Sequence, residues 1–155
     1  MMRPLAIVTG GSKRLGQALS LRLAELGHDV AILFHRSERE AAETAGALRA
    51  VGADAEPIAC DLADPASIEE AFARVLSRFG RAPSVLVNNA SLFEWDDIVS
   101  VTGASLARHF ETNLAAPVLL TKALSAHHTE GSKGLIVNML DQKLSNPNGD
   151  HLAYT

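Results

Sequence analysis

Thr9-Gly10-Gly11-Ser12-Lys13-Arg14-Leu15-Gly16 follows the apolar run Leu5-Ala6-Ile7-Val8 and leads into a helical pattern that starts near Leu15. Strand, glycine-rich turn and helix, in that order, is the context a dinucleotide site requires. Gly10 can take backbone angles closed to other residues, and Gly16 lets the helix sit close against the sheet or a pyrophosphate. The helix N-terminus then offers free N–H groups and a positive dipole end to phosphate. Arg14 adds a fixed cation at the mouth of the turn. A tight turn with a surface arginine would read the same way, so the surrounding chain must decide.

Outward from this turn, strands and helices alternate. Leu5–Val8 reads as the first strand, and Leu15, Leu19, Leu23 and Leu26 fall on one helical face closed by Gly27. Val30–Phe34 is a second strand. Ser37 with Glu40 makes a capping box for a helix running to about Ala50. Ala55–Cys60 is a third strand; Asp64 caps and Pro65 opens a helix carrying Ile68, Phe72, Val75 and Phe79, ended by Gly80. Ser84–Asn88 is the fourth strand, and a long helical segment from about Ala104 to His127 precedes the fifth, Leu135–Met139. Continuous apolar strands between helices imply a parallel sheet covered on both faces. Right-handed crossovers give a doubly wound α/β sheet, a Rossmann fold, in the order 3-2-1-4-5. One domain over residues 1–155 is expected, with no repeat and no low-complexity stretch.

Composition narrows the function. A net charge of −4 with scattered basic residues argues against a nucleic-acid or anionic-membrane partner. A single cysteine, Cys60, suits a reducing compartment, no apolar run reaches membrane-spanning length, and no signal peptide is expected ahead of the first strand. A soluble cytoplasmic protein is the expectation. His127 and His128 have no partners at metal-ligand spacing, so no metal site is expected, and Trp95 and His151 read as structural or surface residues.

Ligands in such sheets bind beyond the strand C-termini, at the switch between strands 1 and 4. Five loops bring chemistry there: Gly10–Gly16, His35–Ser37, Asp61-Leu62, Asn88–Ser91 and Asp141. An NAD site carries a carboxylate at the end of strand 2. Here that strand ends Phe34-His35-Arg36-Ser37, which would hold a 2′-phosphate instead. Charge-assisted bonds from Arg36 and Arg14, each about 1.5–3 kcal/mol, would favour NADP over NAD by orders of magnitude. Asp61-Leu62 suits the adenine, and Asn88-Asn89-Ala90-Ser91 offers amides and a small residue where a cofactor passes close. Each is bland alone, since Asp and Asn are common wherever strands end.

Together these residues resemble the short-chain dehydrogenase/reductase family: the Thr9–Gly16 turn, Asp61-Leu62, Asn88-Asn89-Ala90, Asn113 in the long helix and Tyr154 after strand 5. The details resemble its pteridine reductase branch and the related dihydromonapterin reductases. That branch has arginine at the position of Arg14 where the wider family has glycine. It also has His-Arg-Ser after strand 2, a serine and phenylalanine matched by Ser91 and Phe93, and an aspartate thirteen residues before the tyrosine, matched by Asp141. The resemblance implies NADPH-dependent reduction of a pterin C=N bond. Tyr154 would donate the proton with Asp141 beside it, and Asn113 would hold a relay water and bend the long helix. Arg14 would touch cofactor phosphate and substrate. Phe93 would stack on the pterin, and Ser91 would hold phosphate or pterin amine. Asp141 would also suit a helix cap, Phe93 the core and Asn113 the surface. A related reductase of another carbonyl, or a nucleotide-binding module without catalysis, are the competing readings.

The family's tyrosine is followed four residues later by a lysine that lowers its pKa and holds the nicotinamide ribose; this sequence ends one residue after Tyr154. The expectation is therefore either the first part of a longer, tetramer-forming reductase or a fragment that folds poorly alone, with strand 5 as an uncovered edge and one sheet face short of a helix. A protein ending at Thr155 is expected to be inactive.

Overall fold

The computed structural model describes residues 2–155. Five parallel strands, β1 (Leu5–Thr9), β2 (Asp29–Phe34), β3 (Ala55–Ala59), β4 (Val85–Asn88) and β5 (Leu135–Asn138), lie in the order β3-β2-β1-β4-β5. The expected topology is therefore the observed one, and strand ends differ from expectation by one residue. Register is continuous across the middle: Ile7 lies beside Ala31 of β2 and Leu86 of β4. Helices α1 (Arg14–Glu25) and α2 (Glu38–Ala50) cover one face, and α3 (Pro65–Phe79) and α5 (Ala116–Ala126) the other. Alternate strand residues feed the two cores: Leu5, Ile7, Leu33 and Leu86 meet Phe72, Val75 and Leu120, while Val8, Val30, Ile32 and Val87 meet Ala41, Ala45 and Leu48.

The boundary chemistry is as expected at α3. Asp64 accepts the Ala66 N–H at 3.0 Å, Pro65 opens the helix, and Gly80 ends it at φ +63°. Two local expectations are corrected. The Ser37–Glu40 capping box does not form: Ser37 stands at the N-cap position with ψ 53° and makes no side-chain cap bond, because a cap hydroxyl reaches the helix amides from an extended backbone. A capping box closes instead at Thr102 and Ser105, ahead of α4 (Gly103–Phe110). In α1 the buried residues are Gly16, Ser20 and Ala24, whereas Leu15 and Leu26 are 54% and 58% exposed. A stripe of small residues lets this helix approach the β1 turn, and only Leu19 and Leu23 of the leucine face pack against the core.

The long helix is continuous from Gly103 to Ala126, but Glu111–Ala115 is a π-helical turn between α4 and α5. At the sheet's far edge β5 pairs only with β4 among the described residues, and Leu135 and Met139 stay largely exposed, as expected. No helix of the described residues is long and apolar enough to cross a membrane.

Candidate active site

Every chemistry-bearing loop expected from the sequence emerges at the C-terminal edge of the sheet. Gly10 follows β1 at φ +61°, and a Cβ there would sit 3.1 Å from Ala90. Gly16 is tighter still: its missing Cβ would fall 2.1 Å from the Gly10 carbonyl oxygen. Asn89 ties this turn to β4, donating from Nδ2 to the Thr9 carbonyl at 3.0 Å, while Thr9 Oγ1 accepts the Asn89 and Ala90 N–H groups. Arg14 carries φ +54°. A left-handed non-glycine residue costs about 1–2 kcal/mol, so this arginine occupies a conformation that glycine would hold without strain.

Two cavities flank Ala90 and Ser91. One, of about 420 Å³, is walled by Gly10, Lys13, His35, Arg36, Ser37, Asp61 and Leu62 among others. Arg36 and Arg14 make no ion pair among the described residues, whereas His35 Nε2 lies 3.6 Å from Asp61 Oδ2. The other Asp61 oxygen accepts the Ala63 N–H at 3.0 Å, so this carboxylate is partly engaged before any ligand arrives. Arg14, Leu15 and Gly16 are not in this wall. The Leu15 side chain is 54% exposed, so what it offers a ligand is its backbone at the helix start, and Gly16 lies beneath the turn.

The second cavity, of about 430 Å³, brings Asn88, Ser91, Asn113, Asp141, Lys143 and Tyr154 together. Asn88 donates from Nδ2 to Asn138 Oδ1 at 2.8 Å, while its own Oδ1 is buried without a partner. An orphaned acceptor of this kind suits a ligand donor. Asp141 accepts the Lys143 N–H at 2.9 Å, so it caps a short 3-10 turn and also borders Tyr154. Burial raises the Tyr154 phenol above its ordinary value, the Asp141 charge and hydrogen bond push the same way, and the Ser91 hydroxyl opposes them. At neutral pH the phenol therefore keeps its proton.

Three residues sit differently from expectation. Asn113 grips the backbone of Leu92, accepting its N–H at 2.7 Å and donating to its carbonyl at 2.9 Å. It stands in the π-helical turn, where one extra residue per turn points its amide at the β4–α4 loop. Phe93 presents one face to the His151 ring, centroids 3.8 Å apart and nearly parallel, and meets the Tyr154 ring in a T-shaped contact at 4.8 Å. The expected pterin platform is thus covered on one side by a residue assigned to the surface. His151 is reached from sequence only by noting that it stands three residues before Tyr154. Buried His109 was likewise missed: its Nδ1–H donates to the Ser105 carbonyl at 2.8 Å and its Nε2 faces the Glu94 N–H at 3.4 Å.

A profile of the short chain dehydrogenase family matches residues 4–155. The chain belongs to this family. Among solved structures it is similar to the FolM alternative dihydrofolate reductase 1 of Brucella canis, complexed with NADP. That match is 32% identical at a TM-score of 0.91, over 99% of this chain and 60% of that one. It is equally similar in fold to the acetoin dehydrogenase YohF of Salmonella typhimurium, 30% identical at a TM-score of 0.91 over 99% and 60%. A sorbitol dehydrogenase of Cereibacter sphaeroides is 33% identical over 142 residues, 88% of this chain and 52% of that protein. The chain thus spans about half the length of its curated relatives.

Proposed function

We propose that this chain is the nucleotide-binding part of an NADPH-dependent reductase whose substrate is a pterin. The observation that carries the reading is the junction of the two cavities at Ala90 and Ser91. A cofactor held by Arg36 and Ser37 in one, with Arg14 at the mouth of the β1 turn outside that wall, would extend past Ala90 to the Tyr154 phenol in the other. The glycine cradle at Gly10 and Gly16, the orphaned Asn88 Oδ1 and the unpaired arginines fit a dinucleotide carrying a 2′-phosphate. Asp61 and Leu62 would hold its adenine, and His35 would sit beside the phosphate. When bound, NADPH supplies a hydride to the substrate.

The chain's own residues supply the proton. Tyr154, kept neutral by burial and by Asp141, donates its O–H proton to the substrate heteroatom, and Asp141 takes part in its replacement from solvent. Asn113 keeps Leu92, and with it Ser91 and Phe93, in place against the reacting ring. Support for a pterin comes from the strained Arg14, from an aspartate where most family members carry serine, and from Phe93 beside Tyr154. The FolM reductases of Brucella, solved with NADP, point the same way. Two observations favour a second reading, reduction of another carbonyl: His151 covers a face of Phe93, and acetoin and sorbitol dehydrogenases stand among the relatives.

The test is twofold. Titration with NADPH and NADH should give binding of NADPH alone, and Arg36→Glu should abolish the preference. A panel of dihydropterins and carbonyl compounds, assayed with the protein extended to the length of its relatives, should show turnover of the dihydropterins. Turnover of the carbonyl compounds alone would replace the pterin reading with the second.

A further inference from the structure

Residues 151–155 form a turn closed on itself, with the Tyr154 and Thr155 N–H groups both donating to the His151 carbonyl at 3.1 and 3.0 Å. Among the described residues, the hydrogen bonds from its backbone and from the His151 ring to the rest of the chain go to one short segment, while the Tyr154 phenol meets Ser91 and Asp141. The His151 N–H donates to the Asp96 carbonyl at 2.8 Å, the Ala153 N–H to Asp96 Oδ1 at 3.0 Å, and His151 Nδ1–H to the Glu94 carbonyl at 2.8 Å. Asp96 lies 57 residues earlier in sequence, is 6% exposed and has no ion-pair partner among the described residues. A buried carboxylate is costly unless it accepts hydrogen bonds. This one is not needed to cap α4, because Thr102 and Ser105 already close that helix reciprocally at 3.1 Å. Its Oδ2 lies 3.5 Å from Ser105 Oγ in the first helical turn, and its Oδ1 is left for Ala153.

The segment that carries Asp96 is itself fastened to α4. Arg108 pairs with Glu94 at 2.8 Å, and buried His109 faces the Glu94 N–H while donating to Ser105. We propose that Asp96 is the positioning residue for Tyr154: its side chain and backbone carbonyls hold the 151–154 turn, so the phenol is placed from α4. The proposal rests on Tyr154 being the proton donor, but its test does not. Phenol placement is read directly, whatever the substrate.

Tyr154 is the chain's one tyrosine, so tyrosinate absorbance titrates it alone. In the 155-residue chain, with circular dichroism confirming the fold at each pH, the midpoint should lie above the ordinary tyrosine value of about 10. Asp96→Ala should bring it back to that value, because the turn leaves its partly buried place beside Asp141. Asp96→Asn retains an acceptor for Ala153 and should keep the raised midpoint. At neutral pH, the ring-current shift of the His151 protons over Phe93 should disappear in Asp96→Ala and persist in Asp96→Asn. Should Asp96→Ala fail to fold, Ala153→Pro removes the same N–H from a surface turn that carries none of the sheet, and should lower the midpoint equally. A wild-type midpoint and ring-current shift in Asp96→Ala or Ala153→Pro would overturn the proposal, as would loss of both in Asp96→Asn.

Discussion

Replacing Gly16 by alanine should reverse the sign that helix propensity assigns to that change. Inside a helix, alanine is favoured over glycine by about 1 kcal/mol. At Gly16 the new Cβ would stand 2.1 Å from the Gly10 carbonyl oxygen and 2.6 Å from Asn89 Nδ2, where real Cβ atoms keep at least 3.0 Å. Neither obstacle is the free end of a flexible side chain. The Gly10 oxygen is backbone, and the Asn89 amide is bonded to Thr9 and Gly10. Helix α1 must therefore retreat by about 0.9 Å, the difference between 3.0 and 2.1 Å. Overpacking costs about 1–3 kcal/mol; the upper end applies here, leaving a net loss of about 2 kcal/mol. For a domain of this size that is about 4–8 °C in Tm. Gly46, in α2 with nothing within 4 Å of its missing Cβ, supplies the control. Gly46→Ala should raise Tm by about 2–4 °C. Thermal unfolding followed by circular dichroism measures both. A Gly16→Ala protein at or above the wild-type Tm would show that the turn and helix do not approach as closely as the structure has them.

Arg14→Gly should relieve about 1 kcal/mol of backbone strain while losing a charge-assisted bond to NADPH, so Tm should rise and NADPH affinity fall roughly tenfold or more; unchanged affinity would remove Arg14 from the site. Asp29, buried at the opposite edge of the sheet, is bonded to Arg81, to the Asp54 N–H at 2.8 Å and to Arg3 at 3.4 Å. Asp29→Ala should cost about 3 kcal/mol in urea denaturation without altering NADPH binding, and an unchanged midpoint would refute it. Burial pushes the Cys60 thiol from 9.0 to about 11, with the Asp61 and Asp64 charges adding to it and the Ser67 hydrogen bond opposing. The folded state thus holds its proton longer than the unfolded state. The stabilisation is complete below pH 9 and is lost as pH rises through 11, about 3 kcal/mol in all. Comparison of urea midpoints across that window with those of Cys60→Ala isolates the thiol, and equal slopes in the two proteins would count against the buried thiol.

The strands, the helices and the edge at which the site gathers were legible in the sequence because each is set within one strand–turn–helix unit, and right-handed crossovers then restrict the sheet order. Leu5–Val8 and Val30–Phe34 are apolar throughout because both sheet faces are covered, and in a parallel sheet the residues that follow each strand must come out at one edge. Helix α1 defeated the same reasoning. Periodicity picks out its leucines, but close approach to the β1 turn selects its smallest residues, and the side chains that pack least decide which face is buried. The π-helical turn at Glu111–Ala115 escaped because one added residue leaves the apolar spacing on either side nearly unchanged, although it aims Asn113 at Leu92. His151 and Asp96 escaped for a stronger reason. Nothing local to Trp95-Asp96-Asp97 marks a carboxylate that accepts an N–H 57 residues away, and nothing local to Asp150-His151-Leu152 marks a ring stacked on Phe93. A motif can single out Tyr154, but where the phenol stands depends on the route by which the 141–155 segment returns across the β4–α4 loop. That return is settled by long-range bonds from buried groups, which is why the titration of one tyrosine, with and without Asp96, bears on the site more directly than any residue pattern.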